Sequence, residues 1–434
     1  MKAKNSGGPP PRQFAFGAAL ANPHFQAVLA ILVALPAIGL YLWVALLSRL
    51  WWGQIPGRDF AVYLQAAGLL NHGQSPYAAT QIAPDVMLTF GYVYTPLVAA
   101  LLQPLARLPA AVAITTAAIA AQVAIAIFLI TTLAALRVRS WPAIAALVAL
   151  TVWFEPLLTN VFELQATLLL LALSGVWLFA LRSDRGWGAG AAVGLSLAIK
   201  FMYVPLLVGP LRQRRLGMLM VTALAFLIPT LAAYPGYLPA FLSNVLLPMS
   251  GGSGFFDAQS PAWVVGRALH PEHLYLGAGS TPTDVRVLTL ALTAAAIVVL
   301  WNSIPRVNRF ETAHLSAAAM VATIPFVLPY IFPQHLVVLL LPLLVLVTEG
   351  VRNRNLALLT VVAVSWALIS PVHAAFIDLV HTRPMDTLSL QVVADLSPIG
   401  GVALWVASIV WLRRAQKGAA VGPVAKLDPA RTTA

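Results

Sequence analysis

Only 9% of the 434 residues are charged, so few side chains can do acid–base or anion chemistry. In GRDFAVYLQAAGLLNHGQSPY, residues 57–77, Asp59 follows a long apolar stretch and stands beside Arg58. Two readings fit this carboxylate. It can cap the helix that begins there, because Asp is a favoured N-cap and suits the positive end of a helix dipole. It can equally serve at a membrane rim as a base that takes a proton from an incoming hydroxyl. Arg58 is then a solvated interfacial cation, or a group that holds the carboxylate ionised or binds an anion.

Lys200 lies in GLSLAIKFMYVP, with apolar residues on both sides. A lysine inside a membrane segment costs roughly 2.5–3.5 kcal/mol even on lenient insertion scales, so it either snorkels to the interface or meets an anion. GYVYTPLVAALLQPLARLP, residues 91–109, sets Tyr92 and Tyr94 at the mouth of an apolar segment, as an interfacial belt or as part of a site. GGSGFFDAQSPAWVVGRAL, residues 251–269, holds Asp257, Gln259, Ser260 and Arg267 in a glycine-rich loop that is a connector or a closing flap. Gln334 and His335 open FPQHLVVLLLPLL, where the histidine is a base, a hydrogen-bond donor or an ordinary interfacial residue. Asn160, Glu163 and Gln165 fall between two apolar stretches, on a side that depends on how the spans are counted.

Apolar helices must position these groups. Sixty per cent of the residues are hydrophobic and the mean hydropathy is +0.85, whereas a soluble domain carries ~25% charged residues. The fold class is an all-α polytopic membrane protein. Residues 25–48 contain no charge, exceed the ~20 residues a spanning helix needs, and read as an uncleaved first span with a cytoplasmic N-terminus. Further apolar stretches lie near 92–108, 110–136, 140–159, 164–181, 188–211, 216–234, 284–301, 313–330, 335–349, 356–374 and 398–412. Two long insertions, 49–91 and 235–283, separate them, and the tails 1–24 and 415–434 read as disordered. With no cysteine there is no disulfide and no thiolate metal site.

The net charge of +12 resides mainly in short loops, which points to membrane topology and away from nucleic acid. The basic loops are RVR at 137–139, RSDR at 182–185, RQRR at 212–215, PRVNR at 305–309, VRNR at 351–354 and RRAQK at 413–417. Simple alternation over all the apolar stretches strands the first two outside. A second parse, which we favour, brings all of them to the cytoplasm: 92–136 makes one net crossing and 188–211 turns back at Lys200 as two half-helices. Both parses place 49–91, 235–283 and the Gln334–His335 turn on the outer face and both termini inside.

No Walker loop, HExxH, GxSxG or CxxC pattern occurs, which argues against an ATPase, a zinc protease, a lipase of the α/β-hydrolase type or a thiol redox enzyme. The carboxylates and histidines lack metal-ligand spacing, and no metal is expected.

With these residues assembled, the chain resembles the GT-C membrane glycosyltransferases, and within them glycosyltransferase family 87, the polyprenol-phosphate-mannose-dependent α-mannosyltransferases. The match rests on four patterns in order: RDFAVYLQAAGLLNHGQSPY; YTPLVAALLQPLARLP, with Thr95 in place of a proline; LSLAIKFMYVPLL followed by RQRR; and DAQSPAWVVGRAL with the later QHLVVLLLPL. Asp257 and Ala258 depart from the family's asparagine–glutamine–serine, and ELQAT at 163–167 lacks the usual glycine and asparagine.

The resemblance implies a GT-C bundle of about 10–13 transmembrane helices over residues 25–414, in the plasma membrane with its site on the outer face. It implies a polyprenyl-phosphate sugar donor, with mannose foremost, a glycolipid or glycan acceptor, surrounding membrane lipid and no cofactor. On that reading Lys200, with Arg58, meets the donor phosphate. Asp59 is the first choice of base, with His335 as a second base or a sugar contact, and Tyr94, Gln259, Ser260 and Gln165 touch sugar or acceptor hydroxyls. A secondary transporter is the rival reading. It fits an intramembrane Lys200, but not the two long outer insertions, the lack of paired halves or the one-sided clustering of Asp59, Gln259 and His335.

Overall fold

In hydrocarbon every backbone N–H and C=O must be satisfied within its own segment, which favours helices. The computed structural model describes residues 22–43, 57–77, 91–233, 235–247, 258–274, 281–307, 311–328, 330–372 and 386–421, and no β-strand is among them. Both ends of the chain, 1–21 and 422–434, and the glycine-rich 251–257 with Asp257 lie outside the described residues.

The main helices are α1 (Pro23–Leu42), α2 (Arg58–Asn71), α3 (Pro96–Leu102), α4 (Ala110–Ala135), α5 (Trp141–Val152), α6 (Glu155–Glu163), α7 (Thr167–Arg182) and α8 (Gly186–Ile199). They continue with α9 (Val208–Arg212), α10 (Leu216–Ala232), α11 (Pro261–Leu269), α12 (Thr283–Ser303), α13 (Ala313–Ala322), α14 (Leu340–Arg352), α15 (Leu356–Ile369) and α16 (Thr387–Val421). Five helical segments are long and apolar enough to cross a membrane alone: Pro23–Leu42, Ala110–Ala135, Thr283–Ser303, Pro333–Arg352 and Thr387–Lys417. The pair α5 and α6, bent by 58°, makes a sixth, and shorter apolar helices fill the rest of the bundle. The protein is an all-α, multi-pass membrane protein. Its last helix starts earlier than the apolar stretch at 398–412 and runs on to Val421, past the expected tail boundary at 415.

The stretch at 92–108 is not a span. It forms the seven-residue α3 and a 3₁₀ turn, Leu105–Arg107, cut short by Pro104 and Pro109. This piece lies against the end of α2, where Asn71 Nδ2 donates to Gln103 O at 3.2 Å and Arg107 Nη2 donates to Asn71 Oδ1 at 3.1 Å. Residues 92–136 therefore make one crossing, through α4.

Glycine contacts fix the directions of the helices that follow. A methyl group on Gly190 would lie 2.6 Å from Met218 O, and one on Gly194 would lie 2.4 Å from Thr222 O. The contact moves forward along both helices, so α8 and α10 run parallel. The chain between them must come back, and it does so through a 3₁₀ helix, Phe201–Leu207, and α9. Lys200 occupies the turning point in an extended conformation, φ −156° and ψ 130°. Asp184, before α8, and Arg215, after α9, meet at 3.6 Å, which closes the hairpin. At 14 residues, α8 is about 21 Å long, shorter than a hydrocarbon core of roughly 30 Å. The single crossing at 92–136 and the turn back at Lys200, both features of the second parse, are thus present in the fold.

Consequently all the basic loops share one end of the bundle. Arg182 Nε donates to Ala135 O at 3.2 Å, and Arg352 Nη2 donates to Leu136 O. Arg212 Nε reaches Ile304 O at 3.3 Å, and Arg413 Nε reaches Ser303 Oγ at 2.9 Å.

Residues 258–274 are tied to the head of α12 by His270, whose Nε2 lies 2.8 Å from Asp284 Oδ2 and whose Nδ1 lies 3.3 Å from Glu272 Oε1. The hydrogen bond to Asp284, more than the attraction of Glu272, holds His270 protonated above its ordinary pKa. A raised folded-state pKa stabilises this segment fully below about pH 6.5, and the contribution disappears as pH rises through the higher folded value. Protection of 258–274 from hydrogen exchange, taken relative to the intrinsic rate at each pH, is expected to fall as pH rises above about 6.5, and His270→Gln should flatten that response. An equally steep response in the variant would show that another group controls it.

Candidate active site

The site is built where α5 gives way to α6. Phe154 breaks the helical backbone with an extended conformation, φ −79° and ψ 110°, and Pro156 in the first turn of α6 suits a fresh helix start. Ser370 stabilises the break, accepting Glu155 N–H at 2.6 Å and donating to Trp153 O at 3.2 Å. After nine residues α6 ends on Leu164 in a left-handed conformation, φ 49°, and α7 departs. The end of α6 then serves as a bracket with two arms. On one arm, Phe162 O accepts Gly57 N–H at 3.0 Å and Glu163 Oε2 accepts Asp59 N–H at 3.3 Å, which fixes the start of α2. On the other, Asn160 Nδ2 donates to Gln334 O, which fixes the turn carrying His335.

Between the arms lies Gln165, buried to 4% exposure. Its Oε1 accepts Tyr63 OH at 3.0 Å and Tyr94 OH at 2.8 Å, and its Nε2 donates to Asp59 Oδ2. The Tyr63 and Tyr94 rings meet edge to face with centroids 5.0 Å apart. Lys200 Nζ stands 4.7 Å from the centre of the Tyr94 ring and 2.8 Å from His335 Nε2. Asp59, Gln165, Tyr94, Lys200 and His335 thus form one continuous chain of contacts drawn from five separate parts of the sequence.

His335 is oriented from behind, because Phe332 N–H donates to its Nδ1 at 3.1 Å. That bond assigns the lone pair to Nδ1, so a neutral ring carries its hydrogen on Nε2, facing Lys200. Gln259 reaches the same turn through its backbone, donating N–H to Ile331 O at 2.7 Å. Ser260 is buried at the head of α11, and its carbonyl accepts Trp263 N–H at 3.0 Å.

Several expectations change. Asp59 is not an N-cap: Gly57 holds that position in left-handed backbone, φ 86°, and Asp59 lies in the first turn with its carboxylate directed to Gln165. Tyr92 and Tyr94 are not an interfacial belt, since both are 2% exposed. Tyr92 OH instead accepts Ala99 N–H at 2.8 Å and donates to Thr95 O. Lys200 does not snorkel; it turns inward to His335. The Arg58 side chain lies outside what is described, although its backbone opens α2.

Sequence reasoning gave no role to Tyr63, Asn160, Glu163 or Asp395. Tyr63 recurs with Phe60, Leu64, Ala67 and Leu70 at spacings of three and four, which by itself describes only the apolar face of an amphipathic helix. A lone carboxylate in an apolar helix, as Asp395 is, carries a signal of its own, since such a group needs a partner.

An apolar, half-open cavity flanks the network, lined by Phe60, Tyr63, Leu101, Leu105, Gln165 and Ile199 among others. Among the described residues no group of three or more His, Asp or Glu side chains is arranged to hold a metal ion. A comparison with curated proteins finds no match. The model of glycosyltransferase family 87 matches residues 92–329, more than half of the chain, and includes Tyr94, Gln165, Lys200, Gln259 and Ser260. The protein is therefore a membrane glycosyltransferase and belongs to glycosyltransferase family 87.

Proposed function

We propose that this enzyme moves a sugar, mannose in the first instance, from a polyprenyl-phosphate donor to a hydroxyl of a glycolipid or glycan on the outer face of the plasma membrane. The observation that carries this reading is the chain Asp59–Gln165–Tyr94–Lys200–His335, at the end of the bundle opposite the basic loops. Those loops belong in the cytoplasm by the positive-inside rule, so the chain belongs at the outer rim and both termini belong inside.

Chemistry supports the division of roles. A phosphate leaving group gains negative charge as the glycosidic bond breaks, and Lys200 with the His335 Nε2–H supplies donors for it. Such a group needs no general acid. The acceptor hydroxyl needs a base, and Asp59 is suited to it because it is partly exposed and Gln165 orients one of its oxygens. The hydrogen on Nε2 makes His335 a donor and leaves the base role to Asp59. One in-line displacement then inverts a β-linked donor to an α-glycoside. The apolar cavity beside Gln165 suits a lipid tail. Arg58, Tyr94, Gln259 and Ser260 are assigned to phosphate, sugar and acceptor contacts on this reading.

Purified protein with a labelled panel of polyprenyl-phosphate sugars and candidate acceptors tests the proposal. Asp59→Asn keeps the shape but cannot accept a proton, so turnover should fall by roughly 10²–10⁴ with folding intact; near-normal turnover removes Asp59 as the base. Lys200→Ala should raise the KM for the lipid-phosphate donor at least about tenfold, the effect of losing about 1.4 kcal/mol of phosphate binding, while the acceptor KM stays close to wild type. An unchanged donor response refutes the phosphate role.

A further inference from the structure

Arg267 is fully buried in a protein that holds few charges, and it sits away from the Lys200 turn, on α11. Its Nε donates to Asp395 Oδ1 at 2.9 Å and its Nη2 to the same oxygen at 2.5 Å, which ties α11 to α16. Nη2 also reaches Ala394 O at 3.2 Å. The remaining arm, Nη1, donates to Ala258 O at 2.8 Å.

Where that last bond leads is the point. Ala258 C=O and Gln259 N–H belong to one peptide group, and Gln259 N–H donates to Ile331 O at 2.7 Å. Ile331 C=O and Phe332 N–H form a second peptide group, and Phe332 N–H donates to His335 Nδ1 at 3.1 Å. A buried guanidinium is thus joined to the site imidazole through two peptide groups in series. Each peptide that accepts a bond at its oxygen becomes a better donor at its nitrogen, so hydrogen bonds arranged in a chain strengthen one another. A cation at the head of the chain adds to the effect, because charge-assisted bonds are roughly twice as strong as neutral ones.

We infer that Arg267, held by Asp395, is a positioning residue that fixes the tautomer and the orientation of His335 through the 258–259 and 331–332 peptide groups. It thereby keeps the Nε2 hydrogen directed at Lys200 and the incoming anion. This rests on the placement of His335 in the active site and is independent of which lipid-phosphate sugar is the donor. Asp395 neutralises the guanidinium and aims it.

The test separates positioning from mere stability. Arg267→Lys keeps the ion pair but replaces a planar fork with one point donor, which cannot serve Asp395 and Ala258 in the same geometry. Asp395→Asn keeps an acceptor oxygen for the fork but leaves the cation uncompensated. Asp395→Asn is therefore expected to lower thermal stability more, and Arg267→Lys to lower kcat/KM more, by at least about tenfold, with the donor KM rising. ¹⁵N spectra of the histidines, with His335 assigned by its loss in His335→Gln, give a readout independent of turnover. In the parent, Nδ1 is the unprotonated nitrogen and Nε2 carries the hydrogen; in Arg267→Lys the two forms should mix.

Should Arg267→Lys fail to fold, the double variant Arg267→Met with Asp395→Leu replaces the buried pair by apolar groups, a change that stability often tolerates. It should show the same mixing. Unchanged His335 shifts in a folded variant overturn the inference, as do activity losses that simply track stability. A parent that shows the expected tautomer but no turnover with any polyprenyl-phosphate sugar would instead count against the proposed donor.

Discussion

The amide of Gln165 lies between two phenols and a carboxylate, and only one orientation satisfies all three. Rotated the other way, its NH₂ would face Tyr63 and Tyr94 and its oxygen would face Asp59, setting two acceptors against each other. A buried polar group left unmatched costs roughly 1–3 kcal/mol, and two or three would be unmatched together. The rest of the site depends on this choice. Tyr94, held by Gln165 and by Thr167 at 3.3 Å, presents its face to Lys200, and Asp59 Oδ2 is fixed by the Gln165 amide. Gln165 stands two residues after α6, so the bend that follows α5 determines where the amide can be.

Much of this was legible in the sequence because cost makes polar residues informative in an apolar chain. Lys200, Asp59 and His335 each stood out as a group that hydrocarbon would not tolerate alone, and they do lie on one chain of contacts. The early turn at Lys200 was legible too, since the loops RVR and RSDR could share a side with the others only if the chain came back there. The stretch at 92–108 could be counted as a span by simple alternation because its composition is apolar, while prolines at positions 96, 104 and 109 divide it into pieces too short to cross. Hydropathy does not register that division. Asn160 and Glu163 gave no reading because their role arises from the bend in the chain, a tertiary event with no local periodicity.

Tight packing allows the hairpin at Lys200 to exist. Two parallel helices with a return between them need a close approach, and glycine at 190 and 194 lets the α8 backbone lie directly on that of α10. Gly175 does the same for α7 on α4, where a methyl group would lie 3.0 Å from Phe128 O. Small residues at such contacts are what helices in lipid use for association, since lipid tails give no hydrophobic drive between helices. The short α8 then ends inside the bundle, and Lys200 is delivered to Tyr94 and His335 at a depth that a full-length span would overshoot.

The two ends of the bundle manage charge in different ways, and the difference bears on mechanism. At the basic end, His314 lies between Arg182, at 3.1 Å, and Glu349, at 3.0 Å, and Arg352 meets the same carboxylate at 3.2 Å. Arg182, His314 and Arg352 each have a partner within the protein, and the cluster ties α7, α13 and α14 together. At the opposite end Lys200 lies against an imidazole and an aromatic face, and the Asp59 carboxylate attracts it through space. Nitrogen against nitrogen is a contact that neither partner holds strongly, and an anionic oxygen entering between them would give both Lys200 and the Nε2 hydrogen a better acceptor. The basic end is thus held by an ion-pair cluster that serves the fold, whereas the Lys200 end holds its cation by an imidazole and a ring, an arrangement suited to the anionic donor proposed above.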